Sequence, residues 1–192
     1  MKIWKYQDYD EYIQTQIEVT SKKSDYVYVE KKTIDYICKD LKDVQKILCH
    51  GTRNGIEQKY FQQHFPDAEI IGTDIVDVDA PMTVKHDFNR IHLGWYDQFD
   101  VLYSNSFDHS FDPRDTIKVW RDQIHSKGKI YIEHSYGEID NRARPSDPLE
   151  INNNELVELF ENAGLRVEDV FEVKGFDMDW SPSRLYTLTK SS

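Results

Sequence analysis

The sequence predicts an α/β fold: a doubly wound, mostly parallel sheet with an antiparallel C-terminal strand pair and N-terminal accessory helices. Three observations carry this expectation. From residue 46 onward, short β-branched or aromatic runs alternate with amphipathic helical stripes. The four such runs between residues 69 and 135 each end in polar residues. The last two runs, RVEDVFEV and RLYTLT, follow a helical stripe as a pair.

The elements can be justified in order. Tyr9, Tyr12, Ile13, Ile17 and Thr20 fall at helical spacing, as do Ile34, Ile37, Cys38 and Leu41. Two helices joined by a polar link and YVYV therefore form an accessory segment, 1–45, ahead of a main domain at 46–192. KILCH is a buried-strand pattern, GTRNG is turn chemistry, and IEQKYFQQHF places Ile56, Tyr60 and Phe61 on one helical face. EIIGTD (69–74), MTVKHD (82–87), DVLYSNS (100–106) and KIYIEHS (129–135) are further strands. The helix in DPRDTIKVWRDQIHSKG has Asp112 as N-cap, Pro113 at the first position, an Ile117, Trp120, Ile124 stripe and Gly128 as its stop. NNNELVELFENAG repeats the design, with Leu156, Phe160 and Ala163 inward and Gly164 at the end. Residues 136–152 form the one long irregular stretch, a length often put to functional use.

Composition narrows the function classes. Of the 192 residues 39% are hydrophobic, enough for a core even though 31% are charged. Twenty-four basic against 35 acidic residues give a net charge of −11. From Glu150 to Asp179 only Arg166 and Lys174 oppose nine acids, so duplex nucleic acid and anionic membranes are poor partners. No run approaches the roughly 20 apolar residues of a membrane helix, and MKIWKYQDYDEY is too polar for a signal-peptide core. Cys38 and Cys49 sit in apolar surroundings and cannot build a disulfide framework or a four-cysteine zinc site. A cytoplasmic chain with reduced thiols is expected.

In an open α/β sheet ligands bind beyond the carboxyl ends of the strands, which here carry His50-Gly51, Asp74, Asp87, Ser104-Asn105-Ser106 and His134-Ser135. Gly51 stands where the backbone must bend sharply, and Gly55 where a helix must start close to a strand. Asn54 is placed to cap that helix, with Glu57 three residues on. Asp74 follows Gly51 by 23 residues, near the offset at which a carboxylate accepts hydrogen bonds from a ribose diol. Together they suggest an adenosine ligand.

From residue 46 to 190 this run of motifs resembles the class I S-adenosylmethionine-dependent methyltransferases, of the small-molecule, type 11-like branch. ILCHGTRNGIE stands at the glycine-rich first motif, GTDI at the ribose-binding acid and HDF at the adenine-facing carboxylate. YSNSFDHSFDP resembles the fourth motif, and LEINNNELVELFENAGLRVEDV the late helix that ends in Ala-Gly. The resemblance implies a Rossmann-like fold and S-adenosylmethionine as cofactor, held by Gly51, Thr52, Arg53, Gly55, Asp74, Ile75, Asp87, Phe88, Ser104 and Asn105. It departs from the pattern at Cys49, where an acid usually stands, and at Arg53, which replaces the middle glycine and is suited to reach the methionine carboxylate.

The implied acceptor is a small or medium polar molecule. Asn105 and Ser106 lack the paired prolines of the nucleic-acid amino-methylating enzymes. For a hydroxyl or ammonium acceptor, His109 or Asp108 is placed to remove the proton. Tyr136, Arg142 and Arg144 of the long loop are candidates to hold an anionic substrate. His50, His86, His109 and His134 lie near strand ends, but without HxH or HExxH spacing, and no metal is assigned. A noncatalytic nucleotide-binding module and a nicotinamide-dependent oxidoreductase are the alternatives.

Overall fold

A computed structural model describes residues 1–23, 26–136, 142–173 and 182–191. In chain order the elements are β1 (Lys2–Ile3), α1 (Tyr9–Lys22), α2 (Lys31–Cys38), β2 (Lys46–His50), α3 (Ile56–His64), β3 (Glu69–Asp74), β4 (Thr83–Lys85), β5 (Phe99–Ser104), α4 (Pro113–Gln123), β6 (Ile124–Ser135), β7 (Leu149–Glu150), α5 (Asn153–Asn162), β8 (Leu165–Val173) and β9 (Ser183–Lys190). Seven strands form one sheet in the order β4-β3-β2-β5-β6-β9-β8. The first five are parallel, whereas β9 runs antiparallel to both β6 and β8. A separate small ladder joins β1 to β7.

The pleat sends alternate residues of each central strand to opposite cores. Leu48, Leu102, Ile130 and Ile132 face α4 and α5, where Ile117, Trp120, Leu156 and Phe160 pack. Ile47, Cys49, Val101, Tyr103 and Tyr131 face α2 and α3, meeting Ile34, Ile37, Cys38 and Phe61. The near-continuous apolar strands therefore reflect burial on both faces. The helix α2, although it precedes residue 46, supplies side chains to the second core.

Local chemistry explains several boundaries. Asp112 caps α4 by accepting from Arg114 N, ahead of Pro113. Asn152 and Glu155 form a capping box on α5, and Gly164 follows its end at φ 78°.

Other boundaries differ from expectation. The strand α4 was expected to delay begins early: Ile124 pairs with Phe99, and Gly128 lies inside β6 rather than stopping a helix. The carbonyls of Asp122 and Gln123 accept from Asp97 N and Gln98 N, so the helix is closed by the segment entering β5. The 82–87 run is a strand only over Thr83–Lys85, and β5 stops at Ser104, leaving Asn105 and Ser106 in the loop. The cap of α3 is Gly55 in a left-handed conformation, not Asn54, whose amide donates to Tyr26 O. In α1 the fully buried residues are Tyr12 and Gln16, while Ile13 and Ile17 are half-exposed. No described helix is long and apolar enough to cross a membrane.

Candidate active site

The ends of β2, β3 and β5 lie side by side, with His50 opposite Thr73 on one flank and Ser104 on the other. The turn after β2 is suspended from β3: Gly51 N and Thr52 N both donate to Thr73 O at 2.9 Å. Gly51 has φ 73°, and a Cβ there would lie 2.6 Å from the Ser106 Cβ. Glycine is thus required twice over, by backbone conformation and by space. Arg53 also takes a left-handed conformation, φ 42°. Its Nη1 donates to Lys23 O and its guanidinium lies over the Tyr28 ring, but its buried Nε has no hydrogen-bond partner among the described residues.

Asp74 closes β3 at 5% exposure. Its Oδ2 accepts from Arg53 N at 3.1 Å and its Oδ1 from Val76 N at 3.0 Å. Burial raises its pKa against the opposing pull of those two N–H groups. Asp87 is held differently. Its Oδ1 accepts from Asn89 N and Nδ2, and Tyr9 of α1 donates its hydroxyl to Oδ2. Asn89 in turn donates to Tyr12 Oη and accepts from Phe111 N and Thr116 Oγ1, tying α1 and the start of α4 to this strand end.

Between these groups lies a cleft open to solvent, enclosing about 440 Å³ when its open mouth is included. Gly51, Arg53, Asp74, Ile75, Asp87, Phe88 and Ser106 line it from the sheet end, His109 from the turn after β5, and Tyr12, Gln16, Val19 and Thr20 from α1.

Other expected site residues sit behind or beside the cavity. Thr52 is buried and accepts from Gln58 Nε2 at 3.0 Å, ordering the turn. Gly55, φ 71°, would place a Cβ 3.1 Å from Pro81 O. Ser104 is fully buried, donating to His50 O and accepting from Ser106 N. Asn105 accepts from Ser106 Oγ. Asp108 lies 4.0 Å from His109 Nε2. The loop residues do not reach the lining: Tyr136 donates to Glu172 Oε2 at 2.6 Å beneath Arg184, Arg142 is exposed, and Arg144 is engaged by Asp147.

The four strand-end histidines do not converge. His50 is buried between Thr73 Oγ1 and Gln123 Oε1, and burial pushes its pKa down to about 3, leaving a neutral structural ring. His86 lies on Arg90 O beside Trp95. His134 is fully buried, which lowers its pKa. Donor atoms of Asp108, His109 and Asp147 lie within 4.8 Å of one another, and Asp147 is also paired with Arg144 and Ser146.

Tyr9, Gln16, Asn89 and Asp147 were not anticipated as site residues. For Gln16 a signal exists: it stands one turn after Tyr12, so a polar side chain shares the face that carries Tyr12. Asp147 lies in an irregular loop, where no periodicity points to it.

No family model matches the sequence, and no curated protein matches it. Similar solved structures do exist. The Burkholderia thailandensis 1,6-didemethyltoxoflavin-N1-methyltransferase, with its substrate and S-adenosylhomocysteine bound, superposes with a TM-score of 0.72 at 16% identity, over 95% of this chain and 87% of that one. A chain of the complex between the Haloferax volcanii Trm112 methyltransferase activator and its methyltransferase gives 0.69 at 15% identity, over 98% and 100%. A TehB-like S-adenosylmethionine-dependent methyltransferase from Corynebacterium glutamicum gives 0.63 at 20% identity, over 95% and 97%. The seven-stranded sheet with its antiparallel C-terminal pair is therefore the Rossmann-like fold of the class I S-adenosylmethionine-dependent methyltransferases.

Proposed function

We propose that this protein is an S-adenosylmethionine-dependent methyltransferase acting on a small or medium polar molecule. The observation that carries the reading is the cavity itself, with the Gly51 turn and Asp74 among its walls and His109 beside them. The residues fit the cofactor. Gly51 leaves backbone approach open where a Cβ would collide, Asp74 offers a carboxylate for a ribose diol, and Ile75 and Phe88 give apolar walls for an adenine. Asp87 stands beside Phe88, its Oδ2 shared with Tyr9. The orphaned Nε of Arg53 suits the methionine carboxylate. When bound, S-adenosylmethionine supplies an electrophilic methyl group. The protein holds the acceptor in line and excludes water, which accounts for much of the rate in such transfers.

His109 lines the same cavity and is the group we assign to proton removal from the acceptor. The substrate class follows from shape and charge. The helix α1 walls the crevice, making a pocket rather than a groove for a duplex, and the net charge of −11 opposes a phosphate backbone. In this reading residues 46–192 form the methyltransferase domain and residues 1–45 complete its acceptor side. Cys38 and Cys49, both buried and free, suit a cytoplasmic location.

The deciding experiment is transfer of a labelled methyl group from S-adenosylmethionine in a mixed metabolite extract, set against DNA and RNA. Label in the metabolite fraction is the expected outcome. Label mainly in nucleic acid overturns the acceptor class, and label in neither favours the noncatalytic module. A second measurement isolates Arg53. Arg53→Met is expected to weaken S-adenosylhomocysteine several-fold while leaving 5′-methylthioadenosine, which lacks the carboxylate, unchanged in calorimetry. Equal loss for both ligands removes Arg53 from that role.

A further inference from the structure

The wall that α1 contributes to the cavity carries a polar side chain in a buried position. Gln16 is 5% exposed, its Nε2 faces Ser146 O at 3.4 Å, and its Oε1 faces His109 Nδ1 at 3.0 Å. A backbone carbonyl only accepts, so the amide nitrogen belongs on the Ser146 side and the oxygen on the ring side. An oxygen at that distance requires a hydrogen on Nδ1. In the neutral ring the lone pair then belongs to Nε2. Nε2 lies 3.7 Å from Asp147 Oδ1 and 4.0 Å from Asp108 Oδ1, beyond hydrogen-bond length but within ion-pair range.

The main chain that carries the ring is held on both sides. The carbonyl of His109 accepts from the Tyr12 hydroxyl at 3.0 Å, and its N–H donates to Ser106 O at 3.1 Å. The titratable and charged groups facing it are Asp108 on its own turn, Asp147 with Arg144 behind it, Tyr12 from α1, and Asp74 and Asp87 across the cavity. Although burial disfavours its charge, the hydrogen bonds from Ser146 and Arg144 hold the Asp147 carboxyl below the usual carboxylate range.

Resting on the methyltransferase reading above, we propose that Gln16 is a positioning residue that sets His109 as its Nδ1–H tautomer and so makes Nε2 the atom that takes the acceptor's proton. In that step the acceptor's X–H bond breaks, the proton bonds to Nε2, and the electron pair stays on X. The positive charge gained by the ring is compensated by Asp147. The acceptor must then carry a removable proton, as a hydroxyl or an ammonium does. The helix that walls the pocket thereby also prepares its base.

The test reads the tautomer directly on the full chain. With ¹⁵N-histidine and long-range ¹H–¹⁵N spectra at about pH 9, where an ordinary imidazole is neutral, His109 is assigned by the signal lost in His109→Gln. Wild type is expected to show the Nδ1–H pattern. Gln16→Leu should move the tautomer ratio toward Nε2–H by roughly three- to tenfold, the worth of one net hydrogen bond, and Gln16→Glu, which keeps an acceptor oxygen, should restore it. An Nε2–H ring in wild type, or a ratio unmoved in Gln16→Leu, overturns the proposal. S-adenosylhomocysteine binding measured on the same samples reports on the methyltransferase reading separately, so either can fail alone.

Discussion

Replacing Asp74 by alanine is expected to weaken S-adenosylhomocysteine binding at least tenfold, about 1.4 kcal/mol. The carboxylate closes β3 and lines the cavity, where the proposed ribose hydroxyls would donate to it. It also accepts from Arg53 N and Val76 N, so alanine removes the ligand contact and loosens both flanking loops. Asp74→Asn retains size but only one acceptor oxygen, so it keeps one of those two backbone N–H bonds at most; it should weaken binding as well, with less disturbance of the loops than alanine. Calorimetry with S-adenosylhomocysteine decides, and an unchanged affinity in Asp74→Ala sinks the assignment of this residue to the ribose.

The largest expected effect on stability comes from Glu57, in the first turn of α3. It is 5% exposed, its Oε2 has no partner among the described residues, and burial pushes its pKa up to about 8 from an ordinary 4.5. The folded chain therefore keeps this proton through neutrality, while the unfolded chain loses it above about pH 4.5. Below that pH both states are protonated and no penalty exists. Between roughly pH 4.5 and 8 the unfolded state gains by ionising, so wild-type stability falls as pH rises. Glu57→Gln, which cannot ionise, should be more stable than wild type at pH 7 by on the order of 2–3 kcal/mol, with the advantage gone near pH 4.5. Denaturant unfolding of both chains at the two pH values checks this. A difference independent of pH shows that Glu57 ionises normally in the fold.

Most of the architecture was legible in the residues. The strand and helix alternation, the Asp112-Pro113 start of α4 and the Gly164 stop are each set by chemistry near in sequence. So were Gly51 and Asp74, because a sharp turn and a strand end each leave a local residue signature. The boundary between α4 and β6 was not. Ile124 continues the helical stripe, yet Asp97 N and Gln98 N capture the last carbonyls of α4 and Phe99 pairs with Ile124, contacts made by a segment more than 20 residues upstream.

The site divides along the same line. Composition, period and turn residues determined a doubly wound sheet and the Gly51 turn and Asp74 at the ends of β2 and β3, since these depend on interactions near in sequence. Tertiary structure alone decided which groups face one another across that crevice. Tyr9 reaches Asp87, 78 residues on, Gln16 reaches His109, 93 residues on, and Asp147 meets His109 from a loop without periodicity. A polar side chain becomes a partner only when the packing of α1 and that loop removes water from it, and no local pattern records which side chains that packing will select.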